Sequence, residues 1–186
     1  MIPILSIMCG NISDSKETSY GKLLSEILSR PDVFSIISTD FCHWGQRFSY
    51  QPTPAAATLS CTIVNEKVTQ REKTVTELFK FIQNLDGRGM KHISMKQPGA
   101  FAKYLKQTRN TICGRHAIQT WLHAVVHSES QQSNHKSNGS EENDSDMPMV
   151  IDFIKYSQSS QVTSMRESSV SYASGIARVF KPQRKM

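Results

Sequence analysis

The sequence predicts an α/β domain in which a parallel strand–helix–strand unit is flanked by helices, and three observations carry that prediction. Residues 2–8 and 33–38 are short apolar runs, and the segment between them has helical periodicity. Helical patterns fill the middle of the chain, and strand patterns return near its end. The length of 186 residues suits one domain with its own core, so residues 1–186 are expected to form a single unit.

Each element follows from local pattern. Residues 2–8 read as a buried strand broken by Gly10 and Asn11. In 15–29, Tyr20, Leu23, Leu24, Ile27 and Leu28 recur on one helical face, and Pro31 ends the helix. Residues 33–38 are the second strand, and a strand–helix–strand unit of this length implies a parallel pair with a right-handed crossover. The loop after that strand is then a natural site, because ligands in such sheets bind beyond the strands' carboxyl ends. Residues 49–72, with Pro52 and Pro54, read as a long loop. Val75, Leu78, Phe79 and Ile82 mark a helix ended by Gly87 and Gly89; a second helix starts near Pro98. A third runs over 114–127, with Ile118, Trp121, Leu122 and Val125 inward and His116, His123 and His127 on the opposite, solvent side. The stretch 128–148 is nearly devoid of apolar residues and reads as a disordered polar insert. Residues 150–156 and 175–180 are expected strands.

Composition narrows the function. Hydrophobic residues make up 38% and charged residues 20%, which excludes a collagen-like or mostly disordered chain. No apolar run approaches the ~18 residues of a membrane helix, and residues 2–8 lack the basic flank of a signal peptide, so an intracellular protein is expected. The net charge of +6 is not gathered into a stripe with interleaved aromatics, which argues against nucleic acid. Cys9, Cys42, Cys61 and Cys113 contain no C-x-x-C pair and read as thiols or ligands rather than a disulfide framework.

Two segments carry candidate chemistry. Asp40-Phe41-Cys42-His43-Trp44-Gly45 follows the second strand, and Asp, Cys and His within four positions suit metal binding or proton transfer, or else a capped turn. Cys113 lies at the start of a helix beside Arg115, an arrangement that favours a ligating or reactive thiolate, with a packed structural cysteine as the alternative. The hydroxyl-rich runs 157–161 and 168–173 fit either a polar pocket or turns at strand ends. There is no G-x-S-x-G elbow, phosphate-binding loop or dinucleotide fingerprint.

The stretches STDFCHWGQRF (38–48), LDGRGM (85–90), FAKYLKQTRNTICGRH (101–116), FIKYSQSSQV (153–162) and SSVSYASGIA (168–177) occur in the order in which they resemble the MEMO family, named for mediation of receptor-kinase-driven cell motility. The resemblance spans the chain except 49–72 and 128–148. It implies a fold similar to the class III extradiol dioxygenases, which use non-haem iron. It places Cys113 as the metal-ligating thiolate, with Asp40 and His43 lining the same pocket and His43 a second metal contact. Arg115 and His116 are counted with that pocket, and Arg115, His43 and the hydroxyl-rich strand ends are the expected contacts for an anionic peptide. The family's two metal-binding histidines lie upstream of the matched region, so the chain reads as a C-terminal, N-terminally truncated portion with weak or absent binding of iron or copper. The resemblance implies a cytoplasmic or nuclear signalling or scaffold protein that takes a phosphorylated receptor or signalling peptide. The alternative is an iron- or copper-dependent oxidoreductase with His43 as acid/base and Asp40 orienting it; no catalytic residue is assigned. A shortened sheet would expose apolar surface, so an oligomer is also expected.

Overall fold

The first helix, α1 (Asp14–Leu28), starts where the sequence says a helix should: Ser13 caps it by accepting from the Lys16 amide, and Asp14 and Glu17 sit in its first turn. The structure, a computed structural model, describes residues 3–54, 78–135 and 149–179. Beyond α1 it contains a two-residue strand β1 (His43–Trp44), a 3-10 turn (Gln46–Phe48), α2 (Leu78–Ser94), α3 (Pro98–Thr108), α4 (Arg115–His135), β2 (Met149–Gln158) and β3 (Ser169–Val179). The expected loop at 49–72 and insert at 128–148 fall largely outside these residues.

Among the described residues the sheet has three strands in the order β1-β3-β2, and both pairings are antiparallel. The expected parallel strand–helix–strand unit is therefore corrected. Residues 3–8 and 33–38 are not strands. Their apolar pattern is that of a buried strand, but a strand needs a neighbour to bond, and here neither run pairs with anything described. Ile4, Leu5, Met8, Phe34 and Ile36 stand exposed. The β3 strand also begins six residues before the expected 175. Ser169 and Ser171, in a run that fitted either a polar pocket or turns, are fully buried in the sheet, Ser169 opposite Trp44 of β1 and Ser171 opposite Gln158 of β2.

Helix α2 runs through both glycines that should have ended it. Gly89 lies under the Tyr104 ring, and the Tyr104 hydroxyl donates to the Leu85 carbonyl at 3.0 Å, so tertiary packing outweighs the glycine penalty. Pro98 opens α3 as expected, since a missing N–H costs nothing in the first turn. Helix α4 extends beyond 127 to 135, into the segment read as disordered. Glu129 anchors it by accepting from Lys96 Nζ at 2.6 Å and from the Met149 amide at 2.8 Å.

The core is formed by Phe41, Cys42 and Trp44 with Leu78, Ile82, Phe101, Tyr104, Ile112 and Leu122. Helix α1 packs on α4 through a face turned about 90° from the one expected, with Leu24 and Leu28 half-buried at its border. Glu17, Gly21 and Ser25 are buried, and Tyr20, Leu23 and Ile27 are exposed. The reason lies on α4, where His116 and His123 face α1 instead of solvent. Glu17 Oε1 meets His116 Nδ1 at 2.6 Å, and Gly21 lets His123 approach. A Cβ on Gly21 would lie 2.4 Å from His123 Cβ and 2.8 Å from the Thr120 carbonyl. Alanine for glycine inside a helix ordinarily stabilises by about 1 kcal/mol. Here Gly21→Ala is expected to destabilise by about 1–3 kcal/mol, because the two helices must move apart; urea unfolding of the variant measures it.

Candidate functional site

Residues 39–43 are held from two sides. On one side the strand β3 bonds them: the Phe41 amide donates to the Ser171 carbonyl and the Ser171 amide to the Cys42 carbonyl, each at 2.9 Å. On the other side the α3–α4 connection bonds them. The Thr111 hydroxyl accepts from the His43 amide at 2.8 Å and donates to the His43 carbonyl at 2.9 Å. Three residues further, the Gly114 amide donates to the Thr39 hydroxyl at 2.8 Å. Only glycine fits there, since a Cβ would lie 2.5 Å from the Thr39 Cβ.

That close approach delivers Cys113 to Asp40 and His43. Ligand atoms of Asp40, His43 and Cys113 all lie within 4.8 Å of one another. The Asp40 amide donates to Cys113 Sγ at 3.2 Å, and the Thr39 hydroxyl lies 3.6 Å from the same sulfur. His43 Nε2 is 3.7 Å from an Asp40 carboxylate oxygen, beyond hydrogen-bond range, and is buried without a partner. The Phe48 ring packs edge-on against the imidazole, with ring centres 5.1 Å apart. Cys113 is exposed, whereas Cys42, two residues from Asp40, is fully buried and burial pushes its thiol far above the usual range. Cys42 is thus a core residue, and Cys113 is the exposed thiol beside Asp40 and His43. The donor set of thiolate, imidazole and carboxylate, with an orphaned imidazole nitrogen, fits a soft or borderline metal ion.

Behind this loop lies a polar network that the sequence reading missed. Asp86, in the LDGRGM stretch, is fully buried. It accepts from Asn110 Nδ2 at 2.9 Å and from the Tyr156 hydroxyl at 2.8 Å. Gln158 and Ser171 join through Tyr156, at 2.9 and 3.0 Å. Burial raises the Asp86 pKa, and the hydrogen bonds from Asn110, Ser171 and Tyr156 oppose that rise only in part. The network ties α2, the connection bearing Cys113 and both long strands into one unit.

Arg115 and His116, expected in one pocket with Asp40 and His43, line a different cleft. It lies among α1, α3 and α4, with Asp14, Glu17, Lys106, Arg109 and Thr111 also on its walls. Helix α4 explains the separation: Cys113 precedes it and faces residues 39–43, and His116 turns towards Glu17 on α1. His123 packs against α1 as well, and its pKa is lowered by desolvation. Lys106 and Arg109 went unnoticed in the sequence. The available signal was Lys106, Arg109 and Arg115 following one another with no acid between them.

No helix among the described residues is long and apolar enough to cross a membrane. Comparison with known proteins agrees with the quoted motifs. A family model described as "Memo-like protein" matches residues 1–176. The chain is 40% identical over 172 residues to Protein MEMO1 of Danio rerio and 37% identical over 172 residues to Protein MEMO1 of Homo sapiens, covering 92% of this chain and 47% of each relative. It is 33% identical over 174 residues to Protein memo-1 homolog of Caenorhabditis elegans, covering 93% of this chain and 41% of that protein. The chain thus spans about half the length of the curated relatives it matches. With a family match over nearly its whole length, the chain belongs to the Memo-like protein family.

Proposed function

We propose that the chain is a signalling or scaffold protein of cell motility, cytoplasmic or nuclear, whose chemical centre is the metal-competent triad Asp40, His43 and Cys113. The convergence of those three donors within 4.8 Å, from two segments far apart in sequence, is the observation that supports this reading. Cys113 supplies the soft donor, His43 the unpartnered nitrogen and Asp40 the carboxylate, a set that suits iron or copper(I) better than magnesium. The amide and hydroxyl around Cys113 hold its sulfur in place as supporting groups do around metal ligands. The bound ion would supply Lewis-acid or redox character. The chain's own residues orient the donors and keep the imidazole dry. A site of three donors with an exposed thiol is expected to hold metal weakly. Its partner in signalling is a phosphorylated peptide, for which Arg115 is a charge-assisted contact.

The second reading, a metal-dependent oxidoreductase, draws on the family's resemblance to the extradiol dioxygenases. His43 would act as acid/base with the Asp40 carboxylate, 3.7 Å away, orienting it.

Thiol alkylation at neutral pH, read by mass spectrometry, tests the centre. Cys113 is expected to react at least tenfold faster than Cys42, because only the first is exposed. Iron(II) or copper(I) should protect Cys113, and His43→Ala should weaken that protection about tenfold. Protection that survives His43→Ala and Asp40→Asn unchanged overturns the triad. Stoichiometric metal with oxygen consumption would select the oxidoreductase.

A further inference from the structure

We propose that the cleft among α1, α3 and α4 binds a small organic dianion, a phosphomonoester or a dicarboxylate, at a site separate from the Asp40–His43–Cys113 triad. The cleft encloses about 430 Å³, within the usual range for small-ligand sites. Its charges do not cancel. Asp14 is ion-paired with Lys106, and Lys106 holds the Asp14 carboxyl below its ordinary pKa. Glu17 is hydrogen-bonded to His116 at 2.6 Å. Both acids on the walls are therefore engaged, and Arg109 and Arg115 are left over. Among the described residues no carboxylate forms an ion pair with either guanidinium.

The backbone holds these two arginines at the cleft. Arg109 closes α3 in the left-handed region, at φ 53°, where glycine or asparagine is the usual occupant. Arg115 opens α4, so that helix's positive dipole end lies beside it, and its guanidinium is steadied by the Ile112 carbonyl at 3.4 Å. Two planar, always-charged forks on one small concavity suit a ligand with two negative charges, since each can grip an anionic group through paired hydrogen bonds. Asp14 and Glu17 on the same walls discourage an extended polyanion, which favours a compact ligand. The site shares Arg115 with the phosphopeptide reading but requires no peptide and no metal. Thr111 lines the cleft and clamps His43, so an occupant would lie against the residue that shapes the triad.

Calorimetric titration of the full chain with inorganic phosphate, phenyl phosphate and succinate tests this. Saturable one-to-one binding of at least one of them is expected, with phosphate esters and dicarboxylate told apart by which arm is tighter. Arg109→Gln with Arg115→Gln should weaken it about tenfold or more, and the paired Lys substitutions less. Cys113→Ser should leave it unchanged, which separates this site from the triad. In the unaltered protein the bound anion should shield Arg109 and Arg115 from phenylglyoxal, a readout that does not depend on the variants folding. Absence of saturable binding up to ~10 mM overturns the proposal. So does binding untouched by the double Gln variant, loss of binding with Cys113→Ser, or binding of a phosphotyrosine peptide where none of the three small anions binds.

Discussion

Asp86→Leu is expected to lower stability by about 3–5 kcal/mol, a large share of what holds a domain of this size together. The carboxylate is fully buried and accepts from Asn110 and Tyr156. Removing it strands an amide and a hydroxyl out of water, at about 1–3 kcal/mol each. Asp86→Asn keeps the shape and one acceptor, so a loss of about 1–2 kcal/mol is expected. The pH dependence separates the two effects. The folded protein raises the Asp86 pKa, so it holds that proton more tightly than the unfolded chain does. The group's favourable contribution is complete below the unfolded value near ~4 and is lost as pH rises through the folded value. Urea titrations of the Asn variant across that range should show a flatter decline than the unaltered protein. An Asn variant with an unchanged pH slope would mean that Asp86 does not titrate on unfolding.

Self-association is the second large effect expected. Ile4 is 88% exposed, Met8 98%, Phe34 84% and Ile36 79%, and the apolar residues Leu23 and Ile27 on α1 are exposed as well. Exposed apolar side chains such as these drive association at about 25 cal/mol per Å² covered. Sedimentation velocity of the chain alone should show mass rising with concentration. Replacing Ile4, Leu5, Phe34 and Ile36 together by threonine should return a monomer, since none of the four is in the core. A monodisperse monomer before substitution would remove the argument.

What could be read in the sequence was what depends on neighbours along the chain. The α1 helix, the proline that opens α3 and the glycine before α4 follow from periodicity, capping and backbone restrictions. Asp40, His43 and Cys113 could be singled out individually, because they lie in two motif-bearing loops; that these loops meet is a matter of the fold. Pairing across the fold was not legible. A run such as 33–38 looks the same whether or not a strand lies beside it, so local pattern cannot say whether it joins a sheet. The facing of α1 was misread for a related reason. Hydrophobicity points Tyr20 and Leu23 inward, but the surface that α1 meets on α4 carries His116 and His123, which suits Glu17 and Gly21. The serines hid the first half of β3, because their intrinsic preference is for turns and pairing across the sheet overrode it. Asp86 was hidden too, since nothing local distinguishes a buried aspartate from an exposed one.

The Thr111 hydroxyl has a role that reaches past His43. Among the described residues the strand β1 is at the margin of the sheet, and the N–H and C=O of His43 point away from β3. Left open, that pair of groups would be a template for an incoming strand from another molecule. A single side-chain oxygen takes both, imitating one rung of a ladder with no strand behind it. The threonine that shapes the loop of Asp40 and His43 thus also seals the sheet's border there. Loss of that hydroxyl would couple two failures that are usually independent: a loosened site and a sheet able to recruit a foreign strand at the same residue.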